Sequence, residues 1–245
     1  MKTLKTIEPN NRTPLYYQLE EIIKEQIDSG KWKAGEKIPS ENELLRQYEV
    51  SRNTVKKALD NLVQAGMLKR VQGKGTFVSK PKLEQSLTGF YSFSKVLEEK
   101  GLEPKDVLID LNERKVKASI AKHLGIAEDA NVYELVRLRC TVNEPIILET
   151  SYIPKEMIPE MTKDELSNHS LYDFMATKYG VMVTKAKEIF EPVLIRGYES
   201  QYLDVEEGSP ALLLDRIAYN SEDKPVEFCR SIIRGDRCRF YTELI

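Results

Sequence analysis

The chain has 245 residues, enough for two domains of ordinary size, and its formal net charge is −2 at pH 7. Residues 1–80 hold 15 Lys and Arg against 10 Asp and Glu, and the remainder holds 22 against 29, so only the N-terminal part favours a polyanionic partner. No apolar run has the length of a signal peptide or approaches the roughly 20 residues that span a bilayer, which excludes a membrane protein and predicts a cytoplasmic one.

The cysteines do not suggest a metal site. Cys140, Cys229 and Cys238 form no CxxC pair, and the only histidines are His123 and His169. This spacing does not fit zinc. We therefore expect buried, reduced thiols and no metal or cofactor.

The first predicted element is a helix from Pro14 to Gly30, preceded by a polar segment. Pro is favoured in the first turn of a helix, and Gly is favoured just past its end. An apolar stripe recurs between them at helical spacing: Leu15, Leu19, Ile22, Ile23 and Ile27.

Two short helices are predicted between residues 40 and 62. Ser40 and Glu43 have the capping-box spacing, and Ser51 can cap the second helix. The second helix has an apolar face (Val55, Ala58, Leu59, Leu62) and a polar face (Arg52, Asn53, Lys56, Lys57). The polar face suits a DNA major groove, where Arg and Lys reach guanine or phosphate and Asn reaches adenine. A solvated basic surface is the alternative.

A β-hairpin is predicted next, over residues 65–79. The Gly-Lys-Gly tip at residues 73–75 allows the positive φ of a tight turn. Lys69, Arg70 and Lys74 make the hairpin basic. A basic hairpin after a recognition helix is a wing that can approach a phosphate or the minor groove.

Residues 14–78 resemble the winged helix-turn-helix domain of GntR-type bacterial regulators. The matching blocks are PLYYQL, GEKIPSE, SRNTVKKAL, LVQAGML and GKGTFV. The resemblance implies DNA contacts from Asn42, Ser51, Arg52, Asn53, Thr54, Lys56, Gln72, Gly73 and Lys74. Relatives usually carry Arg where this chain has Asn42, so a guanine contact is either lost or exchanged for an adenine contact.

A linker is predicted at residues 79–88, between a DNA-binding domain at 1–78 and a second domain at 89–245. The second domain should be α+β with an antiparallel sheet. Its predicted helices are 92–100, 119–124, 170–178 and 195–203, and its predicted strands are 107–111, 131–142, 146–153, 184–193, 212–219, 226–233 and 239–244.

Two arginines form a candidate anion site in this domain. Arg137 and Arg139 are two residues apart on a strand, so they share a face and can clamp a phosphate or carboxylate. A three-residue turn at 143–145 would place Arg139 opposite Glu149. The alternative is thus a cross-strand ion pair on a solvated face.

A second candidate lies at the predicted helix start around residues 168–172. Backbone N–H groups and the Ser170 hydroxyl could bind an anion there. Simple N-capping by Ser170 is the alternative.

The second domain resembles the effector-binding UTRA domain of the HutC subfamily, a chorismate-lyase-like fold without lyase activity. The matching pieces are YSFSKVLEEKG, the RLR strand, PIILETSYIP, NHSLYDF, GSPALLLDR and VEFCRSIIRGDRCRF. The resemblance implies a phosphate site formed by Phe93, Ser94, Arg137, Arg139, Ser170 and Tyr172, with Glu149 and Glu227 holding sugar hydroxyl or amide groups. Many relatives have Tyr where this chain has Ile233, which leaves the sugar open.

The function expected is that of a ligand-responsive bacterial transcriptional repressor. A dimer would bind palindromic operator DNA and be released by a small phosphorylated metabolite, a sugar or amino-sugar phosphate. A non-sugar anion, either a phosphonate or a carboxylate, is the alternative effector. Two further classes are a lyase-type enzyme that uses Glu149 and Glu227, and an architectural DNA-binding protein without a ligand. No nucleophile or metal cluster accompanies the two glutamates, which argues against catalysis.

Overall fold

The chain divides between Pro81 and Lys82 into two units. The computed structural model describes residues 6–9, 11–71, 73–80, 82–87, 97, 101, 103–141, 144–167 and 170–243. The predicted helix at residues 92–100 lies outside the described residues, apart from the buried Leu97. None of the helices in these described ranges is long and apolar enough to cross a membrane.

The N-terminal unit is built on three helices: α1 (Leu15–Asp28), α2 (Glu41–Tyr48) and α3 (Arg52–Gln64). Both predicted caps are present. Ser40 Oγ accepts from the Glu43 amide at 3.4 Å while the Glu43 carboxylate accepts from the Ser40 amide at 2.7 Å. Ser51 Oγ accepts from the Thr54 amide at 3.2 Å. These local bonds set where α2 and α3 begin.

An antiparallel hairpin completes this unit, with strands β1 (Leu68–Val71) and β2 (Gly75–Val78). Gly75 has a φ of 122°, and a Cβ there would lie 2.6 Å from Cε of Lys37. This φ favours glycine, whereas the Lys37 side chain could move aside for a Cβ. The apolar faces of the helices and the hairpin share one core, formed by residues that include Leu19, Ile23, Leu44, Leu59, Leu62, Leu68 and Val78.

The C-terminal unit is organised around a six-stranded antiparallel sheet. Its strands are β4 (Pro104–Lys115), β5 (Asn131–Thr141), β6 (Glu144–Pro154), β7 (Val183–Leu194), β8 (Pro210–Asn220) and β9 (Pro225–Arg234). They lie in the order β4-β5-β6-β9-β8-β7. The other elements are β3 (Leu83–Ser86), α4 (Ala118–Leu124), α5 (Lys163–Ser167), α6 (Leu171–Tyr179), α7 (Gly197–Leu203) and β10 (Cys238–Tyr241).

Apolar residues cover both faces of this sheet. Helices α4 and α7 pack on one face, against Val132, Phe228 and Leu148. Helix α6 packs on the other face with Leu135. The α+β architecture with an antiparallel sheet is therefore confirmed.

The predicted linker at residues 79–88 needs correction. Residues 83–86 form β3, which pairs in parallel with β10, although β10 lies near the other end of the sequence. Leu83 is buried in the same cluster as Ile147 and Ile233. The segment is polar in sequence, yet about half of it is packed structure.

Candidate functional site

The N-terminal unit presents a polar surface on α3. Arg52, Asn53 and Lys56 are exposed, and the apolar residues of the helix face the core. Arg52 Nη2 donates to Oδ1 of Asn42 on α2 at 3.2 Å. Asn42 therefore contacts the arginine that the sequence places in the groove, and the two residues form one polar edge.

Some residues at the start of α3 serve the helix itself. Besides capping through its hydroxyl, Ser51 shares a hydrogen bond of 2.8 Å with Oγ1 of Thr54. Both side chains are therefore held in fixed positions beside Arg52. The backbone at this helix start is suited to a phosphate contact.

Two basic residues of the predicted DNA surface are engaged elsewhere in the unit. Lys57 Nζ lies 3.8 Å from the centre of the Tyr16 ring, a cation–π contact. Arg70 on the hairpin forms ion pairs with Asp60 and, at 3.3 Å, with Glu41. These contacts tie α1 to α3 and the hairpin to the helices.

The tip of the hairpin remains open to solvent. Gly73 and Lys74 are exposed, and Gly73 has a φ of 71°. Gln72 lies outside the described residues. The exposed tip and the α3 edge supply the basic groups expected of a DNA-binding surface.

The C-terminal unit contains a pocket of about 60 Å³ on the α6 side of the sheet. One water needs about 10–15 Å³, so the pocket has room for several water-sized groups. Its lining residues are Gln85, Arg137, Arg139, Ile147, Glu149, Ser170, Leu171, Tyr172, Leu214, Arg216, Glu227, Cys229, Ser231, Ile233 and Phe240. Six of the predicted effector residues thus meet in one place.

The centre of the pocket is a buried ion-pair network. Glu149 accepts from Arg137 Nη2, and from Arg139 Nε and Nη2 at 3.3 and 3.0 Å. Arg139 Nη1 donates to Asp106 at 2.6 Å. Arg137 is only 5% exposed, and its Nε has no hydrogen-bond acceptor among the described residues. One N–H of the paired arginines is thus buried and unsatisfied in this part of the chain.

The strand register differs from the prediction. Glu149 lies opposite Arg137, not opposite Arg139. The β5–β6 pairing continues closer to the turn than a three-residue turn at residues 143–145 allows. The displacement is an even number of residues, so Glu149 stays on the predicted face and still reaches Arg139 diagonally. The ion pair is also buried, not on a solvated face.

Opposite charges balance one another in this network. Burial alone would raise the pKa of Glu149, but the charges of Arg139 and Arg137 outweigh it and hold that pKa at about 2. Burial lowers the pKa of Arg139, yet Glu149 and Asp106 raise it overall. Glu149 and Arg139 are therefore both charged at neutral pH. An anion would therefore bind by sharing guanidinium N–H groups with Glu149.

Tyr172 and Glu227 form a second polar pair in the pocket. The Tyr172 hydroxyl donates to Glu227 Oε2 at 2.6 Å, and Glu227 is only 1% exposed. Burial, together with the charge of Glu227, raises the pKa of Tyr172 well above its usual value. The neutral hydroxyl therefore stays a donor, and Glu227 keeps acceptor capacity for a ligand.

Ser170 lies where the sequence places it, at the N-cap of α6. Its hydroxyl oxygen accepts from the Asp173 amide at 3.2 Å and lies 2.6 Å from the Asp173 carboxylate. Ser170 thus caps the helix and lines the pocket as well. Phe93 and Ser94, the other residues expected at the phosphate site, lie outside the described residues.

Sequence reasoning does not single out several of the lining residues. Arg216 donates from Nε to Glu188 at 2.6 Å, and its signal was the charged pair Asp215-Arg216 within the apolar run of β8. Cys229 and Ser231 could have been predicted. They lie at every second position of one strand, between Glu227 and Ile233, and therefore share a face with them. Gln85 carried no signal, since it falls in the segment predicted as a linker.

The cysteines fit the expectation of structural thiols. All three are free and buried. Burial raises the pKa of Cys229 well above its usual value and that of Cys238 to about 12. Within the described ranges no group of three or more His, Cys, Asp or Glu side chains is placed to hold a metal ion.

A winged helix-turn-helix unit followed by a pocket-bearing α+β unit defines a transcriptional regulator with a ligand-binding domain. Residues 15–78 match the bacterial regulatory proteins of the gntR family, and residues 99–239 match the UTRA domain. The HTH-type transcriptional repressor NagR of Bacillus subtilis is 35% identical over 227 residues, which cover 93% of each chain.

Further relatives agree. The probable fructoselysine utilization operon transcriptional repressor of Escherichia coli is 32% identical over 223 residues, 91% of each chain. The crystal structure of PhnF from Mycobacterium smegmatis superposes with a TM-score of 0.63 at 27% identity, covering 92% of this chain and 98% of PhnF.

The chain belongs to the gntR family of bacterial regulatory proteins, in its HutC subfamily with a UTRA domain. The expected family and fold are confirmed. The proteins that it matches are transcriptional regulators, so it is a DNA-binding regulator and not an enzyme.

Proposed function

We propose that this regulator represses transcription in the cytoplasm as a dimer on palindromic operator DNA. A small phosphorylated metabolite, a sugar or amino-sugar phosphate, releases it. The observation that carries the proposal is the pocket in which Arg137 and Arg139 converge beside Glu149 and Glu227. The related repressors NagR and the fructoselysine operon repressor support the sign of regulation.

The arginines supply the anion-binding half of the proposed site. A guanidinium offers five N–H donors in a planar fork that matches phosphate. Glu149 and Asp106 occupy part of this set, and no described residue accepts from the Nε of Arg137. A phosphate on this side would also face Ser170 and the first turn of α6, where helix amides attract anions.

The carboxylates supply the other half. Glu149 and Glu227 can accept from hydroxyl or ammonium groups of a ligand. Arg137 and Arg139 are each balanced by a carboxylate of the protein. An amino-sugar phosphate brings charge of both signs, so it binds without leaving a buried carboxylate unpaired. We therefore propose an amino-sugar phosphate, and not a simple anion, as the effector.

A non-sugar anion, a phosphonate or a carboxylate, is the second candidate effector. Ile233, Leu214 and Phe240 make one side of the pocket apolar. Ile233 offers no hydroxyl to a polyol, and an apolar ligand group would fit against it. Comparing the binding of glucosamine 6-phosphate with that of an alkylphosphonate separates the two candidates.

On the DNA side, Arg52, Asn53 and Lys56 would read base edges and phosphates from α3. Asn42 would act beside Arg52, and Ser51 and Thr54 would present the helix start to a phosphate. The Gly73–Lys74 tip, together with Gln72, would follow the backbone next to the groove. In a dimer, the two half-sites lie roughly one helical turn apart.

The test is Arg137→Lys in the full chain. Lysine keeps the positive charge beside Glu149 but loses the planar fork. We expect the variant to bind glucosamine 6-phosphate at least about 10-fold more weakly, since a hydrogen bond to a charged group contributes about 1.5–3 kcal/mol. Calorimetry measures the affinity, and fluorescence anisotropy on operator DNA measures release.

Arg230→Lys is the matched control, because Arg230 lies on β9 in an ion pair with Asp215 and does not line the pocket. It should leave both ligand affinity and release at parental values. If the ligand concentration that releases the parent from operator DNA also releases Arg137→Lys, the proposed anion site is contradicted. A parent that binds none of the sugar phosphates or phosphonates would refute the proposed effector class.

A further inference from the structure

Gln85 is a buried polar side chain that the pocket described above does not yet explain. It lies in the middle of β3, is 6% exposed and lines the pocket. Its Nε2 has no hydrogen-bond acceptor within the described ranges. A primary amide carries two N–H donors. Leaving them unpaired inside a protein is costly, so the position calls for a reason.

The strand itself does not supply that reason. Side chains alternate along β3: Glu84 points outward and receives a hydrogen bond of 3.1 Å from Arg239, whereas Leu83 is buried. An inward position of this strand can therefore be filled by an apolar residue. Folding alone would favour the same at Gln85.

We propose that Gln85 is a ligand-contacting residue whose amide donates to an oxygen of the bound effector. This inference rests on the proposed function, because it concerns the same pocket. Arg137 also lines the pocket, and its Nε is a second buried donor without an acceptor in the described part of the chain. One ligand bearing several oxygens, such as a phosphorylated sugar, satisfies both.

The contact would also make β3 sensitive to ligand binding in the pocket. Among the described strands it pairs only with β10, in a two-stranded sheet. The Leu83 amide donates to Arg237 O at 2.7 Å, and the Leu87 amide donates to Tyr241 O at 2.8 Å. Two paired strands are only marginally stable by themselves. A ligand held by Gln85 therefore adds a tie between β3 and the main sheet, only a few residues after the N-terminal unit ends at Pro81.

The experiment compares Gln85→Met with the parent in the full chain. Methionine has a similar length and no hydrogen-bond donor. We expect affinity for glucosamine 6-phosphate to fall about 10-fold by calorimetry, in the range for a lost bond to a charged oxygen. Without ligand, the melting temperature should be unchanged or higher, because an unsatisfied buried amide has been removed. Hydrogen exchange at the Leu83 and Leu87 amides should slow on ligand addition in the parent and change less in the variant.

Gln201→Met is the control, since Gln201 is exposed on α7; it should behave as the parent in all three measurements. Parental ligand affinity in Gln85→Met overturns the inference while leaving the proposed function intact. A melting temperature lowered by several degrees without ligand also overturns it, because the amide would then stabilise the fold. If the parent itself binds no sugar phosphate, the proposed function fails and this inference fails with it.

Discussion

At the scale of single residues, the contact between Asn42 and Arg52 bears on DNA reading. The Asn42 amide oxygen holds one end of the Arg52 guanidinium at 3.2 Å. A long side chain loses conformational freedom on binding. Restricting it beforehand lowers that cost. Asn42 can thus influence operator affinity without touching a base.

We predict that Asn42→Ala weakens operator binding about 3- to 10-fold, in line with the loss of one neutral hydrogen bond worth about 0.5–1.5 kcal/mol. The salt dependence of binding should stay parental, because no charge is removed. Lys56→Ala is the contrasting control: it should lower the slope of log affinity against log salt by about one. Fluorescence anisotropy over a salt series measures both. An Asn42→Ala protein with parental affinity and sequence preference would show that Arg52 needs no such support.

At the scale of secondary-structure elements, the turn after β9 fixes where β10 begins. Arg234 is 1% exposed and donates to Asp236 and Glu144 at 2.8 and 3.1 Å. The Gly235 amide donates to Pro210 O at 3.1 Å. A Cβ on Gly235 would lie 2.8 Å from that oxygen. The turn therefore packs against the start of β8 with no room for a side chain.

We predict that Gly235→Ala destabilises the C-terminal unit by about 1–3 kcal/mol, the usual cost of overpacking. This corresponds to a melting temperature lower by roughly 2–10 °C for a unit of this size. Differential scanning calorimetry measures the effect. Gly197→Ala serves as the comparison, because its Cβ would meet only the flexible carboxylate of Glu207. Equal melting temperatures for the two variants would mean that the turn yields at little cost.

Elements with strong local patterns were predictable from the sequence. The capped helices α2 and α3 and the alternating strand β5 lie where the caps and periodicity place them. Strand β3 was not predictable, because it is short and polar and its partner β10 is about 150 residues away along the chain. The short helix α5 was missed as well. Local sequence patterns do not indicate pairing between strands that are so far apart along the chain.

The pocket, too, was predictable from the sequence only in part. Arg137, Glu149 and Glu227 could be placed on one face from strand alternation and family resemblance. The pairing of Glu149 with Arg137 could not, because register depends on the turn and on the bulge after Arg139. Gln85 entered the pocket only through the distant pairing of β3. The sequence thus indicated the chemistry of the site better than its geometry.

At the scale of the whole molecule, effector and operator must influence each other equally. If the effector weakens operator binding by some factor, operator DNA must weaken effector binding by the same factor. Typical coupling is about 5- to 150-fold. We predict that saturating operator DNA raises the dissociation constant of glucosamine 6-phosphate by the factor found in the release experiment.

Calorimetric titration with and without operator duplex measures this coupling. A duplex of scrambled sequence at the same concentration is the control and should leave ligand affinity nearly unchanged at moderate salt. Ligand affinity that is indifferent to the operator, alongside efficient release, would contradict a two-state switch at equilibrium.

The buried amide of Gln85 has a practical consequence for anyone who adapts this protein as a biosensor. Screening variants for heat tolerance alone would enrich apolar replacements of Gln85, since they remove a buried amide that has no acceptor among the described residues. The survivors would fold and bind DNA well, yet would respond only to higher concentrations of the metabolite. Rounds of thermal selection should therefore alternate with rounds that demand a response.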